Sequence, residues 1–423
     1  MHWLTLSFLV ALAAQVVVRL WLARRQVDYV KAHRDRVPER FSHGVTAAEH
    51  ARAADYASAR QRIAMVESIA DALILLWLTL GGGIVLIGEL ASAAGASRVV
   101  TGTLHVVAVF AVLALLALPF GIHRTFVLEQ RFGFNRTGPA VFVADQVKAW
   151  TLGLGLGGMA TAAVLWIMAG TGSRWWLVAW GAWLGFSLLV TWAWPRLIAP
   201  LFNTFTPLQD AGLRARIDAL LERCGFHARS VFIMDGSRRS THGNAYFTGL
   251  GREKRIVFFD TLLATLTPVQ VESVLAHELA HFKLRHVPQR LILGAITSLA
   301  GFALLGWLAE RPWFYTSLGI PERSDSAALL LILLVSPAFT WLVAPLLAAW
   351  SRQHEYQADE FAASHSDAQA LADALVRLYR DNASTLTPDP VYSAFYDSHP
   401  PPTARIARLE SLARRSPATV AAP

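Results

Sequence analysis

Seven apolar stretches, each near the roughly 20 residues that a helix needs to cross a hydrocarbon core, constrain this chain more than any other feature. They cover residues 3–23, 70–91, 101–120, 150–170, 175–194, 291–308 and 327–350. The second and fourth contain several glycines, which membrane helices tolerate, and the sixth is short. The chain is 54% hydrophobic and 16% charged, too apolar for an ordinary soluble enzyme, so the bilayer is an expected partner. Met1 to Phe8 carries no Lys or Arg, and the first apolar run extends to Ala23 before Arg24-Arg25. It therefore reads as a retained span rather than a cleaved signal.

The basic residues alternate between the connections. Connection one holds Arg24, Arg25, Lys31, Arg34, Arg36, Arg40, Arg52, Arg60 and Arg62; connection two holds Arg98 alone. Connection three holds Arg124, Arg131, Arg136 and Lys148, and connection four Arg174 alone. Connection five and the tail are again basic, while connection six has Arg311 and Arg323. The positive-inside rule then predicts an N-terminus outside and a C-terminus inside, with connections one, three and five and the tail sharing the cytoplasmic face. The net charge of +8 is read as this loop bias, and no nucleic-acid partner is expected.

Connection five is long enough to fold. Leu213, Ile217, Leu220 and Leu221 have helical spacing and are followed by Gly225, a suitable C-cap. Residues 231–234 and 256–259 read as short strands, with 244–249 as a third. The tail reads as helices over 351–363 and 367–381 with a polar stretch before His399. The expected fold is mainly α, a polytopic protein of seven transmembrane helices with a cytoplasmic α+β domain. Its expected divisions are spans one to five over 1–194, a cytoplasmic domain over 195–290, spans six and seven over 291–350, a C-terminal segment over 351–413 and a disordered tail over 414–423.

Within the 195–290 domain lies His277-Glu278-Leu279-Ala280-His281. Residues four apart share one helical face, so both imidazoles can grip one metal ion while Glu278 takes a proton from the attacking water. Thr267, Pro268 and Gln270 form the start of a capped helix, and Pro288 is where it should end or kink. The bland alternative is two histidines on a helix face with ordinary hydrogen bonds. The single cysteine, Cys224, excludes an intramolecular disulfide or thiolate metal cage and reads as an inert thiol, so the ligands must be His and carboxylate.

A catalytic zinc site takes three protein ligands and leaves a fourth position open. Glu355, in Ser351-Arg352-Gln353-His354-Glu355-Tyr356-Gln357-Ala358-Asp359, is the expected third ligand. Spans six and seven form a hairpin that would return it to the face of His281. Asp359, four residues on, is placed to accept the free N–H of a ligating imidazole. The alternative for both is a solvated charged face. His354 points about 100° away from Glu355 and ranks below it. His286, outside the four-residue repeat from His281, is expected as a polar surface or interfacial residue.

Several separated segments resemble the type I CAAX prenyl endopeptidases, integral-membrane zinc proteases. They are Leu128-Glu129-Gln130-Arg131-Phe132-Gly133-Phe134-Asn135, Pro200 to Leu208, Asn244 to Gly249 with Lys254 to Leu262, the HExxH and Glu355 segments, and Ser398-His399-Pro400-Pro401 with Arg405. The resemblance implies one zinc ion per chain held by His277, His281 and Glu355, Glu278 as general base then acid, and Asp359 behind a ligand. It also implies that Asn244 and Ala245 pair with an extended substrate, and that His399 and Arg405 approach the metal side of the cleft, where they could stabilise an oxyanion. The implied substrate is a peptide or protein, with or without a prenyl group. Rival readings are a quality-control zinc protease acting on non-prenylated membrane proteins, and a transporter with a structural HExxH. The composition suggests a bacterial inner membrane.

Overall fold

The computed structural model describes residues 2–226, 230–248 and 255–415. Gly249 and Lys254, from the motif segments above, and residues 416–423 of the expected tail lie outside them. The first half is helical: α1 (Trp3–Ala32), α2 (Ala47–Leu78), α3 (Gly83–Ser92), α4 (Arg98–His123), α5 (Pro139–Gly170), α6 (Trp175–Ala193) and the short α7 (Ala199–Phe202). Helices α4 and α6 run on through π-helical turns at Arg124–Glu129 and Trp194–Ile198. After β1 (Phe205–Pro207) come α8 (Ala211–Arg223), β2 (Ser230–Met234), β3 (Ala245–Thr248), β4 (Arg255–Phe259), α9 (Asp260–Thr265) and α10 (Pro268–Lys283). The chain continues with α11 (His286–Leu308), α12 (Pro312–Thr316), α13 (Asp325–Val335), α14 (Pro337–Thr340) and α15 (Ala344–His365). Helices α16 (Ala368–Asp381), α17 (Pro390–Tyr396) and α18 (Pro402–Arg415) complete it.

Six helical segments among the described residues are long and apolar enough to span a bilayer, and the bent pair α2–α3 makes seven. The expected second span is therefore broken rather than straight, with a bend of 56°. The cause is local: Gly82 has φ +79°, a left-handed conformation that L side chains resist. Gly319 comes so close that a Cβ there would lie 2.5 Å from the Thr79 carbonyl, so the loop after α12 docks on the break. Large apolar residues such as Leu104, Trp166 and Trp307 stay exposed on the helix surfaces, as lipid-facing residues must.

The second half is built on one sheet of order β1-β2-β4-β3. Strands β2 and β4 are parallel, and β1 and β3 pair antiparallel on the outside. Ile256, Val257 and Phe258 of β4 are buried, as the middle of a sheet requires. The fourth strand, β1, escapes sequence reading because it has only three residues and ends in Pro207, tolerable on an edge. Ile217 and Leu220 of α8, Leu275 and Leu279 of α10, and Ala362 and Leu371 of the tail close the core over the sheet. Cys224 lies in this core, where burial pushes its thiol up.

Candidate metal centre

The local sequence fixes α10 at both ends. Thr267 Oγ1 accepts from the Gln270 N–H and Gln270 Oε1 accepts from the Thr267 N–H, a reciprocal cap that satisfies two orphan donors. The far end differs from expectation. The helix stops at Lys283, before Pro288, because Arg285 takes a left-handed φ of 60° and reverses the chain. Pro288 then sits in the first turn of α11, where its missing N–H costs nothing.

Helix α15 packs along α10, so the hairpin through α11 and α13 does bring Glu355 back to His277 and His281. Ligand atoms of His277, His281 and Glu355 lie within 4.8 Å of one another. Glu355 Oε2 is 3.4 Å from His277 Nε2, and Oε1 is 3.5 Å from His281 Nε2. A tetrahedral ion with bonds of about 2.0–2.2 Å separates its ligand atoms by roughly 3.3–3.6 Å. Each histidine meets one Glu355 oxygen at such a spacing, and the two-imidazole, one-carboxylate donor set suits zinc. Glu278, one residue after His277, faces the same cavity as both histidines.

Asp359, fully buried, accepts from His277 Nδ1–H at 2.8 Å. This fixes the tautomer and leaves Nε2 free to ligate. Arg405, 5% exposed, grips Asp359 by two bonds of 2.8 Å, and its Nη2 lies 3.2 Å from both ring nitrogens of His277. Arg405 thus lies alongside the His277 ring, with Nη2 also 3.6 Å from Glu355 Oε2, although it is not among the residues that line the cavity. His399, in contrast, lines the cavity and places Nδ1 2.7 Å from Glu355 Oε2. Burial and Arg405 disfavour a charge on His277, yet the carboxylates of Asp359 and Glu355 outweigh them and lift it to about 9. Burial and the charge on His277 push His281 down to about 3. Burial pushes Glu278 up, towards the range useful to a general base.

The cavity measures about 420 Å³ and is walled by Tyr246, Phe247 and Thr248 of β3, by Arg290 and Leu291 of α11, and by Ser398 beside His399. Asn244 and Ala245 lead into the same strand, whose outer edge pairs with no strand among the described residues. His286 requires a correction. It is 1% exposed, not a surface residue, and its Nδ1 meets His281 Nδ1 at 3.0 Å. The reversal at Arg285 folds it back against α10, which four-residue spacing could not reveal. His354 stacks on His286 at 3.9 Å and lies outside the ligand cluster.

A bundle of membrane-spanning helices carrying a His-His-Glu centre beside a free strand edge defines a multi-pass membrane metallo-endopeptidase. Residues 26–204 match the family described as CAAX prenyl protease N-terminal, five membrane helices, and residues 207–413 match peptidase family M48. The CAAX prenyl protease 1 homolog of Oryza sativa is 34% identical over 76% of this chain and 77% of its own. The CAAX prenyl protease 1 of Saccharomyces cerevisiae is 33% identical over 71% and 70%. The crystal structure of S. mikatae Ste24p superimposes with a TM-score of 0.88 at 27% identity, over 97% of this chain and 99% of that one. The chain belongs to peptidase family M48, on the CAAX prenyl protease branch.

Proposed function

We propose that this chain is a zinc endopeptidase that removes the C-terminal tripeptide from lipid-modified CaaX proteins at the cytoplasmic face of a bacterial inner membrane, with its N-terminus outside. The observation that carries the zinc assignment is the spacing of the His277, His281 and Glu355 ligand atoms within 4.8 Å. Zinc, when bound, supplies Lewis acidity that activates water near pH 7 and polarises the scissile carbonyl.

The protein residues supply the rest. An extended peptide adds to the open edge of β3, beginning at Asn244 and Ala245, by main-chain hydrogen bonds. Glu278 takes the proton of the attacking water and returns it to the leaving amine. His399, at the cavity wall, is placed to donate to the oxyanion, while Arg405 holds Asp359 and through it His277. The proposed division is spans one to five over 1–194, a catalytic domain over 195–290, spans six and seven over 291–350 and the Glu355 segment over 351–413.

Support for a lipidated substrate comes from the membrane half. Helices α4, α5, α6, α11 and α13 close a ring, each packed on the next. Inside lies a cavity of about 690 Å³ lined by Val106, Phe110, Gly153, Gly157, Trp183 and Phe302 among others, within the range of small-molecule sites, about 300–1,000 Å³. Along α11, Ser298 of this cavity is seven residues from Leu291 of the metal cavity, roughly 10 Å of helix. Turnover of a farnesylated CaaX peptide, its unprenylated twin and an unfolded membrane protein tests the reading. The farnesylated peptide should be cleaved at least about tenfold better in kcat/KM, a difference of about 1.4 kcal/mol. Equal cleavage of all three would instead favour the quality-control role.

A further inference from the structure

We infer that His286 and Gln357 form a positioning relay that sets the tautomer of His281 so that its Nε2 faces the metal. The inference rests on the zinc-site reading above and adds two residues to it. His277 has Asp359 to hold its Nδ1–H, but among the described residues no carboxylate contacts Nδ1 of His281. What contacts it is His286 Nδ1, at 3.0 Å. The other nitrogen of His286, Nε2, lies 2.9 Å from Gln357 Oε1. Gln357 reaches it from α15, two residues beyond Glu355.

The direction of each bond follows from the end of the chain. An amide oxygen only accepts, so His286 carries its proton on Nε2 and donates it to Gln357. His286 Nδ1 is then a lone pair and accepts the Nδ1–H of His281. That leaves His281 Nε2 unprotonated, the form that ligates zinc. With the Gln357 amide reversed, each bond in the relay reverses and the proton lands on His281 Nε2, which blocks ligation. The orientation of one amide thus decides whether His281 can bind metal. The ring of His286 has little freedom to escape this role. It is 1% exposed, and His354 lies flat on it at 3.9 Å with an interplanar angle of 5°. Trp350 closes on His354 at 4.6 Å.

The test compares zinc dissociation constants, by chelator competition on the purified full chain, with unfolding midpoints of the metal-free protein. Gln357→Glu keeps an acceptor and should bind zinc within about threefold of wild type or more tightly. Gln357→Lys offers only donors and should bind at least tenfold more weakly. His286→Phe should lose about 10–100-fold, the usual cost of removing the group that orients a ligating histidine. Gln357→Glu and Gln357→Lys should unfold at similar temperatures without metal, which separates tautomer control from a simple loss of packing. Equal zinc affinity for the Gln357→Glu and Gln357→Lys proteins, or wild-type affinity for His286→Phe, would overturn the relay. Failure of the wild-type chain itself to bind zinc would instead overturn the metal-site reading on which it rests.

Discussion

Arg405→Met is the substitution whose cost the structure defines best. Arg405 and Asp359 are 5% and 0% exposed and share two bonds of 2.8 Å. Removing the guanidinium leaves a buried carboxylate whose remaining partner among the described residues is His277 Nδ1, also at 2.8 Å. Breaking one side of a buried ion pair costs about 3–5 kcal/mol, because the partner charge stays buried and unpaired. The surviving bond to His277 keeps the expected loss near the lower end, about 3 kcal/mol. At about 2–4 °C per kcal/mol for a domain of this size, the unfolding midpoint should fall by about 6–12 °C. The assay is fluorescence-detected thermal unfolding in detergent of wild type, Arg405→Met, Asp359→Asn and the double variant. With Asp359 made neutral, the same Arg405→Met change should cost at least about 1 kcal/mol less, a coupling expected of residues in one network. A midpoint shift under about 2 °C for Arg405→Met, or strict additivity in the cycle, would refute the claim that Arg405 works by compensating Asp359.

Two further outcomes follow from the electrostatics. His277 is lifted to about 9 in the metal-free protein, so near neutral pH zinc must displace its proton. Apparent zinc affinity should therefore rise with pH, up to about tenfold per unit, and level off above about pH 9; an affinity that is flat between about pH 7 and 9 contradicts this. Glu278 must be unprotonated to act as a base, and burial raises its pKa. The acidic limb of kcat/KM should accordingly lie above about 4.3, the ordinary glutamate value, and a limb at or below that value argues against Glu278 as the base.

Local signals carried much of this site, and long-range folding hid the rest. The HExxH helix was legible because its ligand spacing and its Thr267–Gln270 cap both lie within one short segment. The approach of Glu355 to His277 needed only the count of two intervening spans. His286 was misplaced because its burial depends on a single left-handed residue, Arg285, whose φ of 60° no periodicity announces. Pro288 drew attention to the right neighbourhood for the wrong reason, since it begins α11 rather than ending α10. The bend in the second span has the same origin. Gly81 to Gly83 were visible in the sequence, but a run of glycines inside a membrane helix is compatible with a straight path. The left-handed φ of Gly82 makes the break, and Gly319 packs against the Thr79 carbonyl beside it. Arg405 was expected near an oxyanion because motif order says that it approaches the cleft. The structure adds a partner that motif order does not reveal, the Asp359 carboxylate, which takes two bonds from the guanidinium.

The most direct test of the central claim compares peptide turnover by wild type and Glu278→Gln at measured zinc content. Both proteins should hold one zinc per chain, because Glu278 lies beside the ligand set without belonging to it. The kcat of Glu278→Gln should fall by at least about 10²-fold, the low end of what a positioned general base contributes. Wild-type turnover by a zinc-loaded Glu278→Gln protein would contradict that claim.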